Sequence, residues 1–208
     1  MGAVIASTLS DVLARHAVSL TDRKVLDFGC GPARVASRFK LRYPSCMLFG
    51  TDVDAEAIEW ARAHVPEAGS FGINGQLPPL SFDDGFFDVV YSVSVFTHLD
   101  ESSQRLWLRE LSRVVKPGGI VMATVHGDAA QASCTEGEIS QLQEHGFAFR
   151  IGHKGRWKLD GLPDFYQTSF QTREHVKRTW TQWFQLVEHA EGALHGHQDL
   201  VVLRRPHR

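Results

Sequence analysis

Val25-Leu26-Asp27-Phe28-Gly29-Cys30-Gly31-Pro32-Ala33-Arg34 decides the fold of this chain. With Lys24, the segment up to Phe28 is a short run of the kind that fills a buried strand, and Gly29-Cys30-Gly31 breaks it. Pro32 suits the first turn of a following helix, which the sequence carries to about Tyr43. A strand that turns through glycines into a helix opens a βαβ unit, so the next segments should repeat the alternation.

They do. Cys46 to Asp52 reads as a second strand, and Asp54 caps a helix with Ala57, Ile58, Ala61 and Val65 on one face. Phe71-Gly72-Ile73 is a third, weaker strand. Leu77-Pro78-Pro79-Leu80 and Asp83-Asp84-Gly85 make a loop and a turn, and Phe87 to Val93 is a strong strand. A helix from about Glu101 turns Leu106, Trp107, Leu111, Val114 and Val115 inward, until Lys116-Pro117-Gly118-Gly119 stops it before a strand over Ile120–Val125. Upstream, Val4, Ile5, Leu9, Val12, Leu13, Ala17 and Leu20 predict a leading helix over 3–20. The alternation predicts an α/β fold, a Rossmann-like doubly wound sheet that is mostly parallel.

After Gly127 the pattern loosens. A short helix over Glu136–Glu144, an irregular excursion over 150–168, and a helix over Thr172–Trp180 precede two strands at Phe184–Glu188 and Asp199–Leu203. The roughly ten residues between those strands are too few for a parallel crossover, so a terminal antiparallel hairpin is expected.

Composition excludes several classes. The chain has 208 residues, with 22 basic and 24 acidic side chains and a net charge of −2, which gives no basic nucleic-acid footprint. No apolar run approaches the ~18–20 residues of a membrane span, and Asp11 and Arg15 interrupt the only apolar stretch near the start, as a signal peptide would not. Ala6 stands where a myristoylation motif needs Ser or Thr. Cys30, Cys46 and Cys134 form neither a disulfide framework nor a zinc pair, so a reducing, cytoplasmic location is expected.

The glycine turn lets a ligand approach backbone at a helix N-terminus. Asp52, 21 residues after Gly31, ends the next strand, where a carboxylate accepts ribose hydroxyls. Asp27, just before the glycines, suits a cationic ligand and would repel a pyrophosphate. Arg34 stands where a nicotinamide fingerprint wants a third glycine.

The segment 25–34 resembles the first motif of class I S-adenosylmethionine-dependent methyltransferases of small-molecule type. Gly50-Thr51-Asp52-Val53-Asp54 is similar to their second motif, the stretch from Leu77 to Val90 to the approach to their fourth strand, and Leu111 to Gly119 to their helix-to-fifth-strand signature. Ala33 departs from a frequent third glycine and is tolerated where the backbone is not left-handed. The resemblance implies S-adenosylmethionine as cofactor. Its methionine part would lie against Phe28, Gly29, Cys30 and Gly31, with Asp27 orienting the amino group and Ser92 and Val93 offering backbone carbonyl. Asp52 would bind the ribose, Val53 would pack on the adenine, and Asn74 and Gly75 would contact the adenine edge. The expected organisation is a single domain over 1–208, with a cofactor half (1–126), an acceptor-side excursion (127–182) and a terminal hairpin (183–208).

Among eleven histidines, His98 and His126 follow the fourth and fifth strands, where ligands of open α/β sheets bind, and are the candidate catalytic bases. His195-Gly196-His197, with His189 and Asp199 nearby, reads as polar turn residues, so no metal is expected. Arg150, Lys154, Arg156 and Lys158 around Trp157 read first as a solvated basic loop and second as an anion or sugar clamp, and Tyr166 as pocket-lining or packed. Family members that methylate exocyclic amines or glutamine carry an Asn/Asp-Pro-Pro-Tyr tetrapeptide after the fourth strand, where this chain has Ser92-Val93-Ser94-Val95. The expected reaction is methyl transfer to oxygen of a small molecule or saccharide, with no nucleic-acid or membrane partner. An NAD(P)-dependent oxidoreductase and a non-catalytic cofactor-binding protein are the alternatives. Nothing in the sequence reads out the oligomeric state.

Overall fold

The computed structural model describes residues 1–152 and 167–207. Seven strands form one sheet in the order β3-β2-β1-β4-β5-β9-β8. These are β1 (Lys24–Phe28), β2 (Met47–Asp52), β3 (Ser70–Ile73), β4 (Phe87–Ser92), β5 (Val115–Val125), β8 (Gln185–Leu194) and β9 (Gln198–Arg204). The first five strands pair in parallel, while β9 runs antiparallel to both β5 and β8. A Rossmann-like sheet, mostly parallel with an antiparallel terminal hairpin, is therefore what this sequence builds.

Helices α1 (Gly2–Arg15), α2 (Arg34–Arg42) and α3 (Ala55–His64) belong to the first half, and α4 (Glu101–Val114), α5 (Glu136–His145) and α6 (Arg173–Trp180) to the second. Central strands are buried on both faces and read as continuous apolar runs for that reason. Alternation along β1 divides the core: Val25 joins the layer with Leu9, Leu13 and Phe39, and Leu26 joins the layer with Trp107, Leu111 and Trp180. Strand order reverses between β1 and β4, so a crevice opens at their carboxyl ends.

Several boundaries differ from expectation. α1 stops at Arg15, because Ala17 turns left-handed and the Val18 N–H reaches back to the Leu13 carbonyl; Leu20 is buried from a loop instead. Pro32 lies in the turn ahead of α2, which begins at Arg34. Leu106 is 46% exposed, and Leu108 takes its place inside. The stripe on α4 runs through Gln104, Trp107, Leu108, Leu111 and Val114, the i, i+3, i+4, i+7 spacing that excludes 106. β8 extends to Leu194, so three residues and not ten separate it from β9; register shifts in the pairing break the alternation that marks a strand. The loosened region holds an unexpected antiparallel pair, β6 (Phe147–Arg150) with β7 (Thr168–Gln171), and a 3-10 turn over Asp128–Ser133.

Candidate functional site

At the carboxyl ends of β1, β2 and β4 lies a cleft of about 680 Å³. The glycine turn forms its floor. Gly29 and Cys30 both donate N–H to the Thr51 carbonyl, at 2.8 and 3.0 Å, which ties the turn to β2. The two glycines serve different needs. At Gly29 (φ +80°) a Cβ would sit 2.1 Å from the Val95 methyl, so glycine is needed for packing. At Gly31 (φ +50°) a Cβ would meet nothing within 4 Å, because the space above is open cleft. Ala33 is left-handed (φ +58°), contrary to the condition set for it. The turn demands that conformation, and an L-residue there costs roughly 1–2 kcal/mol.

Asp27 is 2% exposed, and its Oδ2 accepts the Tyr91 hydroxyl at 2.9 Å. No cation pairs with it among the described residues. Burial pushes its pKa up to about 7, and the charge of Asp52 adds to the rise, while the Tyr91 bond opposes it. Asp52 closes the other side. Its Oδ2 accepts Gly31 N–H at 2.7 Å and its Oδ1 accepts Asp54 N–H at 3.0 Å. Capping α3 falls to Asp54, which accepts the Ala57 N–H at 3.0 Å. Each oxygen of Asp52 thus retains a further lone pair in a cleft that the residue lines.

Phe28, Cys30, Val53, Asn74 and Val93 also line the cleft. Asn74 donates from Nδ2 to the Gly75 carbonyl, and its buried Oδ1 has no hydrogen-bond partner among the described residues. Gly75 and Ser92 are not in the lining; Gln76 takes the first place, and Ser92 is fully buried in β4. Two further wall elements escaped sequence reasoning. Ser94 and Val95 follow β4, and the first turn of α1 brings Met1, Gly2 and Ile5 over the cleft. The helical pattern announced α1 but not where it would dock.

His98 and His126 lie outside the cleft lining. His98 Nδ1 is 2.6 Å from the Gln167 carbonyl, and His126 Nδ1 is 3.1 Å from the Ser169 carbonyl. A carbonyl only accepts, so each Nδ1 carries a hydrogen. Backbone bonds complete the seam: Ser169 N–H to the Thr97 carbonyl and Gln171 N–H to the His126 carbonyl. His126 therefore fastens β7 to the end of β5, and His98 holds the residue just before β7. Burial holds the His126 pKa below its ordinary value, which keeps the ring neutral.

His189 Nε2 pairs with Asp199 Oδ2 at 2.9 Å, both side chains buried, while His195 sits in the hairpin turn. Arg150 is consumed structurally. It grips both oxygens of Glu138 at 2.6 and 2.7 Å, donates to the Ser133 carbonyl, and covers the Phe170 ring. That contact holds the Glu138 pKa down to about 2. Arg150 is thus unavailable as an anion clamp; Lys154, Arg156, Trp157, Lys158 and Tyr166 lie outside the described residues.

The cleft fits the cofactor that the motifs imply. A buried acid lacks a cation, the space over Gly31 is open, a strand-end carboxylate has lone pairs to spare, and the Asn74 Oδ1 awaits a donor.

Known proteins resemble this chain in sequence and in fold. Residues 25–119 match the family described as "Methyltransferase domain". A malonyl-[acyl-carrier protein] O-methyltransferase of Legionella pneumophila is 29% identical over 111 residues, 53% of this chain and 38% of that protein. A ribosomal RNA small subunit methyltransferase C of Hahella chejuensis is 30% identical over 119 residues, 53% of this chain and 33% of that protein. The chain thus spans well under half the length of these relatives. An S-adenosylmethionine-dependent methyltransferase of Methanosarcina mazei superposes with a TM-score of 0.68 at 18% identity, covering 94% of this chain and 98% of that one. No helix among the described residues is long and apolar enough to cross a membrane. By its motifs this chain is similar to that methyltransferase family over residues 25–119, and it shares the fold of the solved S-adenosylmethionine-dependent methyltransferase.

Proposed function

We propose that the protein binds S-adenosylmethionine in the cleft and transfers its methyl group to an oxygen of a small-molecule or saccharide acceptor. The observation that carries the proposal is the cation-deficient acid beneath an open glycine cradle, Asp27 under Gly31. When bound, S-adenosylmethionine supplies a methyl group activated on a sulfonium. Asp27, ionised by the incoming charge, attracts the ammonium end, with backbone of Phe28, Gly29, Cys30, Ser92 and Val93 around it. Asp52 accepts the ribose hydroxyls, Val53 packs on the adenine, and Asn74 with Gly75 meets its edge. His98 and His126, each with its Nδ1 against a backbone carbonyl, are the proposed acceptors of the hydroxyl proton. Alignment of the two reactants supplies much of the rate, because the leaving group needs no further activation.

Residues 127–182, with β7 and the residue before it held by those histidines, form the acceptor side of a single domain. Charge favours a small acceptor over nucleic acid, since the chain is at −2; the malonyl-carrier O-methyltransferase among its relatives supports an oxygen acceptor. Calorimetry with S-adenosylhomocysteine and, separately, NADH tests the cofactor, and binding of NADH alone would overturn the proposal. An acceptor panel scored by S-adenosylhomocysteine release tests the reaction. Turnover on an RNA but on no hydroxylated or carboxylated small molecule would refute the acceptor class, and tight cofactor binding without any turnover would favour a non-catalytic role.

A further inference from the structure

One wall of the cleft is the segment Val93-Ser94-Val95, whose Val95 packs against the glycine turn. Ser94 adopts a left-handed backbone, φ +58°, which is unfavourable for any residue bearing a Cβ. Nothing in its residue type asks for that conformation. It is imposed from two other strands. Ser94 N–H donates to Thr124 Oγ1 at 2.7 Å, and Thr124 is buried on β5. Ser94 Oγ meets the side-chain amide of Gln198, at 3.1 Å from Oε1 and 3.0 Å from Nε2. Gln198 is 8% exposed and opens β9, 104 residues further along the chain. Neither Thr124 nor Gln198 lines the cleft.

The consequence reaches the glycine floor through the next residue. The Val95 methyl occupies the space that a Cβ on Gly29 would take, 2.1 Å away. The direction in which the chain leaves Ser94 therefore determines whether Val95 seats on Gly29 and whether the carbonyls of this wall face the cleft.

We propose that Gln198 and Thr124 are positioning residues of the cofactor site: they hold Ser94 left-handed, and the terminal hairpin thereby sets cofactor affinity without touching the cofactor. The proposal rests on the assignment of the cleft to S-adenosylmethionine. Without the two anchors Ser94 relaxes to negative φ, and only a minor fraction of molecules presents the binding wall. Apparent affinity falls by that fraction.

The test uses the full chain and calorimetric affinity for S-adenosylhomocysteine. Gln198→Leu removes the anchor and keeps an apolar side chain of similar length in the buried place. It should weaken binding about 10-fold, the size expected of the left-handed penalty. Adding Ser94→Gly should return affinity to within about threefold of the unaltered protein, because glycine takes positive φ freely. A structural role alone would lower the melting temperature of Gln198→Leu with affinity intact, and glycine would restore nothing. Thr124→Val provides the same test from β5 should Gln198→Leu fail to fold, with Thr124→Ser as the variant that retains the hydroxyl and should bind normally. Unchanged affinity in the anchor variants, or no recovery with Ser94→Gly, overturns the proposal. Absence of binding by the unaltered protein would instead overturn the cofactor assignment beneath it.

Discussion

Asp27→Asn should make the empty protein more stable at neutral pH while weakening the site. Asp27 is buried against the Tyr91 hydroxyl and has the Asp52 charge nearby, so its pKa rises from 3.8 to about 7 on folding. The folded state then holds a proton that the unfolded chain has released. The contribution of this group is complete below about pH 3.8 and is lost as pH climbs toward 7. At about 1.36 kcal/mol for each pH unit the loss reaches about 4 kcal/mol, an upper figure because water entering the open cleft reduces it. Asparagine keeps the shape, still accepts from Tyr91, and never ionises. Urea unfolding of both proteins from pH 4.5 to 8.5 isolates the effect, since other carboxylates titrate alike in each. The two should be within about 1 kcal/mol at the acid end and about 2–4 kcal/mol apart at pH 8, with asparagine the more stable. Calorimetry should show the opposite order for S-adenosylmethionine, a loss on the order of tenfold or more, since a charge-assisted bond becomes a neutral one. Parallel stability curves across the pH range would refute the burial of an uncompensated charge at this position.

Asp52→Ala should weaken cofactor binding by about 1–3 kcal/mol in calorimetry, as loss of charged hydrogen bonds does, and unchanged affinity would sink the ribose assignment. Gly29→Ala should lower the urea midpoint more than Gly31→Ala, because only the first drives a Cβ into Val95. Gly31→Ala, where the new methyl enters open cleft, should lose affinity out of proportion to stability; the reverse ranking would contradict the separate duties of the two glycines. Arg150→Met strips Glu138 of both its bonds from the guanidinium and should cost about 1–2 kcal/mol, read as a lower melting temperature. In the unaltered protein that contribution is present above pH 4.5 and fades as pH falls toward about 2; a difference between the two proteins that persisted at pH 2 would count against the ion pair.

The cofactor half was legible because its determinants are contiguous. A strand, two glycines and a helix start occupy ten neighbouring residues, and the acid that closes the turn sits at the next strand's end. The charge of Asp27, next to the glycines in sequence, favours a cationic ligand over a pyrophosphate. Failures within this half were local too: Leu106 falls off a stripe that the helical period would have excluded. Ala33 is different in kind, since alanine carries no mark of a left-handed backbone. The Cys30 and Gly29 bonds to β2 and the short Ala33-to-Cys30 turn place it there.

The acceptor side resisted reading because its geometry is held between distant segments. His98 and His126 are candidate bases in sequence, yet one meets the carbonyl of Gln167 just before β7 and the other the Ser169 carbonyl within it, across 69 and 43 residues respectively. Arg150 looks like a surface cation, yet Glu138 and Phe170 claim it. Ser94 looks like an ordinary residue after a strand, yet β5 and β9 fix its backbone. The same asymmetry has a chemical use. A cofactor shared by a whole family is met by local turns that tolerate variation elsewhere. An acceptor side tied by long-range side-chain bonds is altered by substitutions in β7 or the terminal hairpin, without disturbing the glycine turn. On the proposed assignments, selectivity and cofactor binding rest on separable sets of residues, joined at Ser94, which bonds to Gln198 of the hairpin and lines the cleft.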